Sequence, residues 1–349
     1  MIRIGLVGCG HIGAAHSYAL KSLADAGLVD ARVVATYDAD AERAAAMARH
    51  HGADAQPSLD ALFGGVDVAW ICTWTAAHLE PVEAAAARGL AIFCEKPLAP
   101  DLAGAARVTA ALELVPHQVG LVLRWAPVFA NAAARVSSGE FGRVLATVMR
   151  DDQYFPIQGF YGSTWRKEVA HAGGGTLIEH SIHDVDVLRW LLGDPVGVSA
   201  NTACRFGYPG IEDTAAVRFT YPDGSMAQLT SVWHQVLSRE SSRRLEVFCE
   251  KALLWTDDDY LGPLHVQTDT GIEVVAGSFP PWAPDLGVPE QFLRAIAPYA
   301  AASKSFLDAL AAGTTPAGYP PAAEALAAHR LVDAAYRSAA AGAEPISVA

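Results

Sequence analysis

The chain has 349 residues, of which 52% are hydrophobic, and its 25 Lys and Arg against 38 Asp and Glu leave a formal net charge of −13. This length and composition predict two domains with sizeable cores, exclude a disordered or fibrous protein, and argue against nucleic acid or an anionic membrane as the partner. The five cysteines form no CxxC pair, residues 1–8 carry no basic leader and no apolar run reaches the length of a membrane span, so we expect a cytoplasmic protein that acts on a small molecule.

The N-terminal residues predict a strand, a glycine-rich turn and a helix. Residues 2–7 are mostly apolar and run into Gly8-Cys9-Gly10-His11-Ile12-Gly13, after which apolar residues recur at helical spacing. In this motif the first glycine permits a tight turn, Gly10 lets the backbone approach a pyrophosphate, and Gly13 lets the helix pack closely on the strand. We therefore predict a dinucleotide site here, with a purely structural glycine turn as the alternative.

Strand and helix patterns continue to alternate after this turn. A strand over 31–37 ends at Asp38, whose carboxylate can accept the ribose hydroxyls of an adenosine and would repel the 2′-phosphate of NADP, so we predict NAD as the cofactor. Further strands are predicted at 66–72, 92–95 and 117–123, and helices near 41–51, 78–88 and 102–114. Repeated βα units of this length specify an α/β fold with a doubly wound parallel sheet, which we assign to an N-terminal Rossmann domain over residues 1–124.

The strand at 92–95 stops abruptly at Glu95-Lys96-Pro97. Lys96 is therefore expected at the carboxyl end of a parallel strand, where such sheets bind ligands. Proline restricts the residue before it to an extended conformation, so the ammonium group is aimed by a stiff backbone. We interpret Lys96 as a catalytic lysine, with an ordinary surface lysine as the alternative.

After about residue 125 the pattern changes to strands joined by turns. The stretches with alternating hydrophobicity are 214–221, 225–232, 244–248 and 252–255. Pro222-Asp223-Gly224 between the first two has typical turn residues. We predict a C-terminal α+β domain over 125–349 with a large, open, mostly antiparallel sheet, whose uncovered face favours a homodimer or homotetramer.

One helix of the second half carries several titratable side chains. It follows Gly173-Gly174-Gly175, and its spacing predicts that Glu179, His183 and Asp186 share one face. A solvated face is the alternative, but the glycines indicate close approach of another backbone or of a ligand. The histidine spacing of zinc proteases is absent, so we expect no metal at Glu179, His180 and His183.

The order and spacing of these motifs resemble the glucose-fructose oxidoreductase, inositol dehydrogenase and rhizopine-catabolism (Gfo/Idh/MocA) family of NAD(P)-dependent oxidoreductases. The motifs are the glycine turn followed by His16, the Glu-Lys-Pro triplet, and the triple glycine with the helix that reaches His183. The resemblance implies hydride transfer between NAD(H) and a secondary alcohol or ketone of a sugar, polyol or inositol. It also implies proton transfer by Lys96 and His183. The family often has Asp where this chain has Glu179, and Thr-Pro where it has Thr73-Trp74.

These motifs predict three groups of site residues. Catalytic roles fall to Lys96, His183 and Glu179. Cofactor binding falls to the glycine turn and to the ends of the following strands: Gly8, Gly10, His11, Ile12, Gly13, Asp38, Thr73, Trp74, His78, Glu95 and Lys96. Substrate contacts are predicted for Arg124, Trp165, Arg166 and His180, with bracing of a domain interface as the alternative for the first three.

Two other functions remain open at this stage. An enzyme that retains its NAD and cleaves glycosides would use the same early chemistry, but would release sugar without net NADH. A regulator that senses the dinucleotide without turnover could dispense with Lys96 and His183, so their presence argues against it.

Overall fold

The computed structural model describes residues 1–314 and 319–348 and divides the chain into two compact units. The first unit comprises Met1–Val122 and Phe279–Leu326, and the second comprises Leu123–Ser278 and Ala327–Ala349. Within the described residues, none of the helices combines the length and the apolar composition that crossing a bilayer would require.

Strands and helices alternate in the first third of the chain, after which many strands follow one another without an intervening helix. The strands are β1 (Ile2–Val7), β2 (Ala31–Tyr37), β3 (Asp54–Ala55), β4 (Val68–Ile71), β5 (Ala91–Cys94), β6 (His117–Val119), β7 (Val144–Tyr154), β8 (Gly197–Ala203), β9 (Thr214–Thr220), β10 (Met226–His234), β11 (Ser242–Cys249), β12 (Leu253–Thr256), β13 (Leu264–Thr268), β14 (Gly271–Val275) and β15 (Ile346–Ser347). The α-helices are α1 (His11–Asp25), α2 (Ala41–His51), α3 (Leu59–Phe63), α4 (Leu79–Ala86), α5 (Leu102–Leu112), α6 (Pro127–Ser137), α7 (Val169–Ala172), α8 (Thr176–Glu179), α9 (Ile182–Leu192), α10 (Glu290–Ala312) and α11 (Ala322–Ala340).

The first unit is built on a parallel sheet with the strand order β3-β2-β1-β4-β5-β6. All residues of β4 and β5 are buried, as expected for central strands covered by helices on both faces. The strand order reverses between β1 and β4, and ligands of such sheets bind outside the carboxyl ends of the strands at this point. The predicted doubly wound Rossmann sheet is confirmed.

A long segment that follows the second sheet in the chain belongs to the first unit. The first half of α10 packs against α1 through Leu293 and Ala297, and Phe306 packs on the parallel sheet. The predicted division after residue 124 assigned this segment to the C-terminal domain, whereas the structure groups Phe279–Leu326 with the first unit. The apolar face of an amphipathic helix does not indicate which sheet the helix will cover. The sequence pattern therefore could not show that this segment belongs to the first unit.

The second unit is built on a large open sheet with the order β14-β13-β12-β11-β7-β10-β9-β8-β15. Neighbouring strands are antiparallel except β7 and β10, which run parallel. The predicted hairpin is β9 and β10, with Thr220 opposite Met226, and the second predicted pair is β11 and β12. The expected open, mostly antiparallel sheet is confirmed.

Helices cover one face of this second sheet. Phe129 of α6, Val185 of α9 and Leu331 of α11 pack in one core with inward side chains of the strands such as Leu229 and Leu245. Alternation along each strand leaves the opposite residues outside this core. The sheet therefore has a helix-covered face and an outer face.

The last predicted strand of the first unit is shorter than expected. The pattern predicted a strand over 117–123, but β6 ends at Val119 and residues Val122–Trp125 form a 3-10 helix. Leu121 and Val122 are nevertheless buried. A short apolar run indicates burial, but periodicity alone does not show whether the buried segment is a strand or a helix.

Candidate active site

The glycine turn lies between β1 and α1 and is fixed by Asp38 at the end of β2. The Asp38 carboxylate accepts hydrogen bonds from the backbone N–H of Cys9 at 2.7 Å and of Asp40 at 2.8 Å, and the residue stays partly exposed. α1 starts after Gly10 with no side-chain cap, and a Cβ on Gly10 would meet no surrounding atom within 4 Å. His11 and Ile12 start this helix, with His11 exposed and Ile12 half-buried. An open, uncapped helix N-terminus beside a glycine turn is the arrangement that receives phosphate groups.

The segment after β4 contains the predicted cofactor residues Thr73, Trp74 and His78. Thr73 Oγ1 is buried and has no hydrogen-bond partner among the described residues, and Trp74 is 41% exposed. A buried hydroxyl without a partner is uncommon and needs one from outside the protein. The ring nitrogens of buried His78 lie 2.9 Å from the carbonyl oxygen of Pro97 and 3.1 Å from that of Thr73. His78 thus joins the segments after β4 and β5, and its predicted contact with the cofactor stays a prediction.

Lys96 follows β5, and its backbone N–H donates to a buried carboxylate. Glu95 is 3% exposed; its Oε2 accepts the backbone N–H of Lys96 at 3.1 Å, and its Oε1 lies 2.7 Å from Nε2 of His16 in α1. The Lys96–Pro97 peptide bond is cis. Both carboxylate oxygens are thus engaged by the protein. Glu95 thus supports the backbone of Lys96 and contacts His16 of α1, and its predicted contact with the cofactor stays a prediction.

The triple glycine of the second unit serves close approach between two backbones. A Cβ on Gly175 would lie 1.8 Å from the carbonyl oxygen of Glu212. The Glu212 carboxylate accepts the N–H groups of Gly175 at 2.7 Å and Leu177 at 2.9 Å, and the Tyr336 hydroxyl at 2.9 Å. Burial raises the pKa of Glu212, and these donors oppose that shift. Of the two expected reasons for the glycines, the approach of another backbone is the one seen.

The predicted single helix with three titratable groups on one face is wrong. The helix breaks at His180 and Ser181, so Glu179 ends α8 while His183 lies in α9. At this break the Ser181 hydroxyl donates to Asp151 at 2.6 Å. His183 and Glu179 are both buried residues, so the alternative of a solvated face is excluded as well.

Glu179 pairs with the predicted substrate residues Arg166 and Trp165. Arg166 Nε donates to Glu179 Oε2 at 3.0 Å, and the guanidinium lies over the Trp165 ring at 4.4 Å from its centroid. Glu179 is 2% exposed. The structure thus brings these three residues together as one ion pair stacked on an aromatic ring.

Arg124 forms an ion pair with Asp186, and the substrate contact predicted for it stays a prediction. Its Nε and Nη2 donate to the two oxygens of Asp186 at 2.8 and 2.7 Å, and the guanidinium lies 5.7 Å from the ring centroid of Trp190. Both charged side chains are buried. A bidentate buried pair of this kind holds the 3-10 helix after β6 against α9, so Arg124 has a structural role within the second unit.

His180 is likewise engaged by the protein, where a substrate contact was predicted. Its Nδ1 lies 2.8 Å from Asp151 Oδ2 and its Nε2 lies 3.2 Å from Arg243 Nη2. Asp151, Arg243 and Glu212 were not identified in the sequence. The one available signal was the pair of adjacent carboxylates Asp151 and Asp152 near the end of a predicted buried stretch. Among the described residues, no group of three or more His, Cys, Asp or Glu side chains is arranged to hold a metal ion.

Two family models match the chain. Residues 2–121 match the model described as "Oxidoreductase family, NAD-binding Rossmann fold", and residues 129–255 match "GFO/IDH/MocA C-terminal domain". The fold and these matches define an oxidoreductase with an NAD-binding Rossmann domain. The chain belongs to the GFO/IDH/MocA family, which confirms the resemblance seen in its motifs.

Individual relatives extend this likeness over the whole chain. An inositol 2-dehydrogenase of Rhizobium meliloti (strain 1021) is 30% identical over 354 residues, which cover 97% of each chain. A solved structure of a putative myo-inositol dehydrogenase from Sinorhizobium meliloti 1021 is 27% identical, with a TM-score of 0.79 and 100% of both chains covered. Levoglucosan dehydrogenase in complex with NADH and levoglucosan is 21% identical, with a TM-score of 0.85 over 100% of this chain and 99% of that one. The last likeness concerns the fold alone.

Proposed function

We propose that the protein transfers a hydride between NAD(H) and a secondary alcohol, or the matching ketone, of a sugar, polyol or inositol-type substrate. The observation that carries the proposal is Lys96 at the carboxyl end of β5, held on Glu95 in the same unit as the open glycine turn. The relative that is 30% identical over nearly the whole chain is named inositol 2-dehydrogenase, which supports a polyol or sugar among the alcohols.

The side chains fit a dinucleotide at several points. Bound NAD⁺ supplies the hydride acceptor. The uncapped first turn of α1 would hold its pyrophosphate and Asp38 its ribose hydroxyls, and the buried Thr73 hydroxyl offers a further hydrogen bond. These residues bind and orient the cofactor.

The remaining task of the protein is to move the hydroxyl proton of the substrate. Lys96 and His183 serve this transfer, because amine and imidazole groups exchange protons near neutral pH when suitably placed. Glu179 is neutralised by Arg166 and therefore holds Arg166 and Trp165 in place instead of acting as the base.

The proposal is tested by incubating the purified protein with NAD⁺ and a panel of sugars, polyols and inositols while NADH absorbance is followed. We expect NADH and ketone to accumulate in equal amounts with at least one alcohol. Release of a sugar without net NADH would indicate the glycosidase that retains NAD. Tight NAD binding with no turnover of any compound would indicate the sensor.

We further propose that NAD is preferred to NADP, because the Asp38 carboxylate would repel a 2′-phosphate. The unsubstituted protein is expected to use NAD with the higher kcat/KM, and Asp38→Ser to narrow the NAD/NADP ratio by roughly tenfold, which corresponds to about 1.4 kcal/mol. Asp54→Ser, at an exposed residue of β3, is the matched control and should leave the ratio unchanged. A higher kcat/KM for NADP in the unsubstituted protein would contradict the assignment.

We also propose that the protein forms a homodimer or homotetramer through the outer face of the second sheet. Val148, Met226 and Phe248 on this face are 40%, 49% and 38% exposed, and Trp255 stacks on His265 beside them. Light scattering at micromolar concentration should give a dimer or tetramer, and Phe248→Asp should shift it toward the monomer. A monomeric unsubstituted protein would contradict this proposal.

A further inference from the structure

A buried ionic cluster lies at the start of α9 in the second unit. It consists of one guanidinium, three carboxyl groups and one imidazole: Arg243, Asp151, Asp184, Asp259 and His180. The side chain of Arg243 is 3% exposed and those of Asp151 and Asp184 are 0% exposed. Because water does not reach these groups, their charges and hydrogen bonds must be balanced within the protein.

Arg243 is the centre of the cluster. Its Nε donates to Asp184 Oδ1 at 2.8 Å and its Nη1 to Asp259 Oδ2 at 3.2 Å, while its backbone N–H donates to Asp259 Oδ1 at 2.6 Å. One guanidinium thus faces three carboxyl groups. If all three were ionised, the cluster would hold an excess of buried negative charge.

Asp151 fixes the residues that precede α9. Its Oδ2 accepts the Ser181 hydroxyl at 2.6 Å and lies 2.8 Å from His180 Nδ1. His180 Nε2 lies 3.2 Å from Arg243 Nη2, so the imidazole lies between Asp151 and the guanidinium.

Two carboxyl oxygens of the cluster have no hydrogen-bond donor among the described residues. They are Asp151 Oδ1 and Asp184 Oδ2, both buried. Arg243 Nη2 is 3.4 Å from Asp151 Oδ1 but does not meet hydrogen-bond geometry. Both carboxyl groups lie against the same guanidinium, Asp184 at Nε and Asp151 at Nη2 of Arg243, and hydrogen bonding with Asp151 contributes to the raised pKa of Asp184. A single proton between them would satisfy both oxygens and reduce the negative charge.

The surrounding donors favour Asp184 as the residue that holds this proton, because Asp151 Oδ2 accepts the Ser181 hydroxyl and lies 2.8 Å from His180 Nδ1, whereas the side-chain donor to Asp184 among the described residues is Arg243 Nε. Burial raises the pKa of Asp184 well above its usual value, and the Asp151 carboxylate adds to the shift while Arg243 opposes it. Burial acts on Asp151 in the same direction, but Arg243 and His180 together hold the pKa of Asp151 below its usual range.

Two tyrosines border the cluster. Burial raises the pKa of both Tyr161 and Tyr260. Neither phenol therefore adds a charge to the cluster near neutral pH.

We propose that Asp184 keeps its proton at neutral pH and donates it to Asp151, and that this acid–carboxylate pair positions His183. The functional half of the proposal rests on the proposed role of His183. Ser181 and Asp184 flank His183 in the chain, and both are bound to Asp151 of β7, one through its hydroxyl and the other through the shared proton. The pair therefore holds the backbone on both sides of the imidazole. Asp151 and Asp184 are positioning residues.

Amide substitutions distinguish the role of the Asp184 carboxyl group from that of Asp151. Asn at 184 keeps an N–H donor for Asp151 and an oxygen for Arg243, whereas Asn at 151 places an amide against the donors of Ser181 and His180. We expect Asp184→Asn to retain kcat within about threefold, and Asp184→Ala and Asp151→Asn to lose roughly tenfold or more with NAD affinity unchanged. Asp269→Asn, at an exposed residue, is the matched control. Equal losses in Asp184→Asn and Asp184→Ala would overturn the proposal.

Two spectroscopic measurements test the pair without turnover. The infrared carbonyl band of a protonated carboxylic acid should be present at neutral pH and absent in Asp184→Asn. The ¹³Cε1 resonance of His183, assigned by its loss in His183→Gln, should keep its position in Asp184→Asn and move in Asp184→Ala. An infrared spectrum unchanged by Asp184→Asn would overturn the shared proton, and an unmoved resonance in Asp184→Ala would overturn the positioning. Inactivity of the protein toward all alcohols would contradict the proposed function but leave both measurements decisive.

The pair also affects how stability depends on pH. Above the ordinary Asp pKa of 3.8, the unfolded chain releases the Asp184 proton while the folded protein keeps it. Stability is therefore lost as pH rises toward the raised folded value, because the folded state binds more protons. The melting temperature of Asp184→Asn relative to the unsubstituted protein should increase as the pH rises above the ordinary Asp pKa of 3.8. A difference that does not change with pH would overturn the assignment of the proton to Asp184.

Discussion

Replacing Lys96 or His183 by alanine is expected to lower turnover by roughly 10²-fold or more, while NAD binding stays near normal. The expectation for NAD follows from the glycine turn, whose backbone N–H groups and Asp38 contact do not involve Lys96 or His183. Turnover is measured with the best alcohol of the substrate panel, and NAD affinity by titration of the protein without substrate.

A double variant, with alanine at both Lys96 and His183, tests whether the two residues act together. If Lys96 and His183 serve one proton transfer, the combined loss should be much smaller than the sum of the two single losses in free energy, because groups that act as a unit are not additive. Lys251→Ala and His50→Ala, at exposed residues of the two units, are the matched controls and should keep full turnover. Full turnover in Lys96→Ala would contradict the mechanism and favour the sensor.

Two alanine substitutions in the glycine turn are expected to differ in their effect on stability. A Cβ on Gly13 would lie 2.1 Å from the carbonyl oxygen of Gly8, so Gly13→Ala must displace the turn and should destabilise the protein by about 1–3 kcal/mol or more. A Cβ on Gly10 would meet no surrounding atom, and Gly10 has φ −78°, which alanine adopts readily. Gly10→Ala should therefore fold normally but keep the pyrophosphate from the backbone, weakening NAD binding by roughly tenfold or more.

Thermal unfolding and NAD titration separate these outcomes. Gly65→Ala is the matched control, because a Cβ there also meets no atom within 4 Å and the residue has no positive φ. It should change neither stability nor NAD affinity. Unchanged NAD affinity in Gly10→Ala would mean that the pyrophosphate does not approach this turn.

Much of the fold could be predicted from the sequence because its signals are local. The alternation of strands and helices up to β5 follows from apolar periodicity, and Asp40, Ser58 and Asp101 cap the starts of α2, α3 and α5 with their side chains. The β9–β10 hairpin follows from alternation on both sides of a turn with proline and glycine. These features depend on neighbours within a few residues.

The site was predictable only where a short sequence motif determines the local backbone structure. The uncapped glycine turn and the placement of Lys96 after β5 agree with such motifs. The partners of Glu179, His180 and Arg124 could not be predicted, because each is a charged residue distant in the chain, and charge alone does not determine which carboxylate a guanidinium will meet. The break between α8 and α9 was missed for the same reason, since the Ser181 hydroxyl at the break bonds to Asp151 of β7, which is distant in the chain.

Direct transfer of hydrogen from the alcohol carbon is the central claim, and isotope tracing tests it most directly. The protein is incubated with NAD⁺ and its best alcohol substrate deuterated at the reacting carbon, and the NADH formed is analysed by mass spectrometry and NMR. We expect one deuterium at C4 of the nicotinamide and a slower turnover than with the unlabelled alcohol, because the labelled bond breaks during hydride transfer. NADH without deuterium, or deuterium released to water, would contradict the claim.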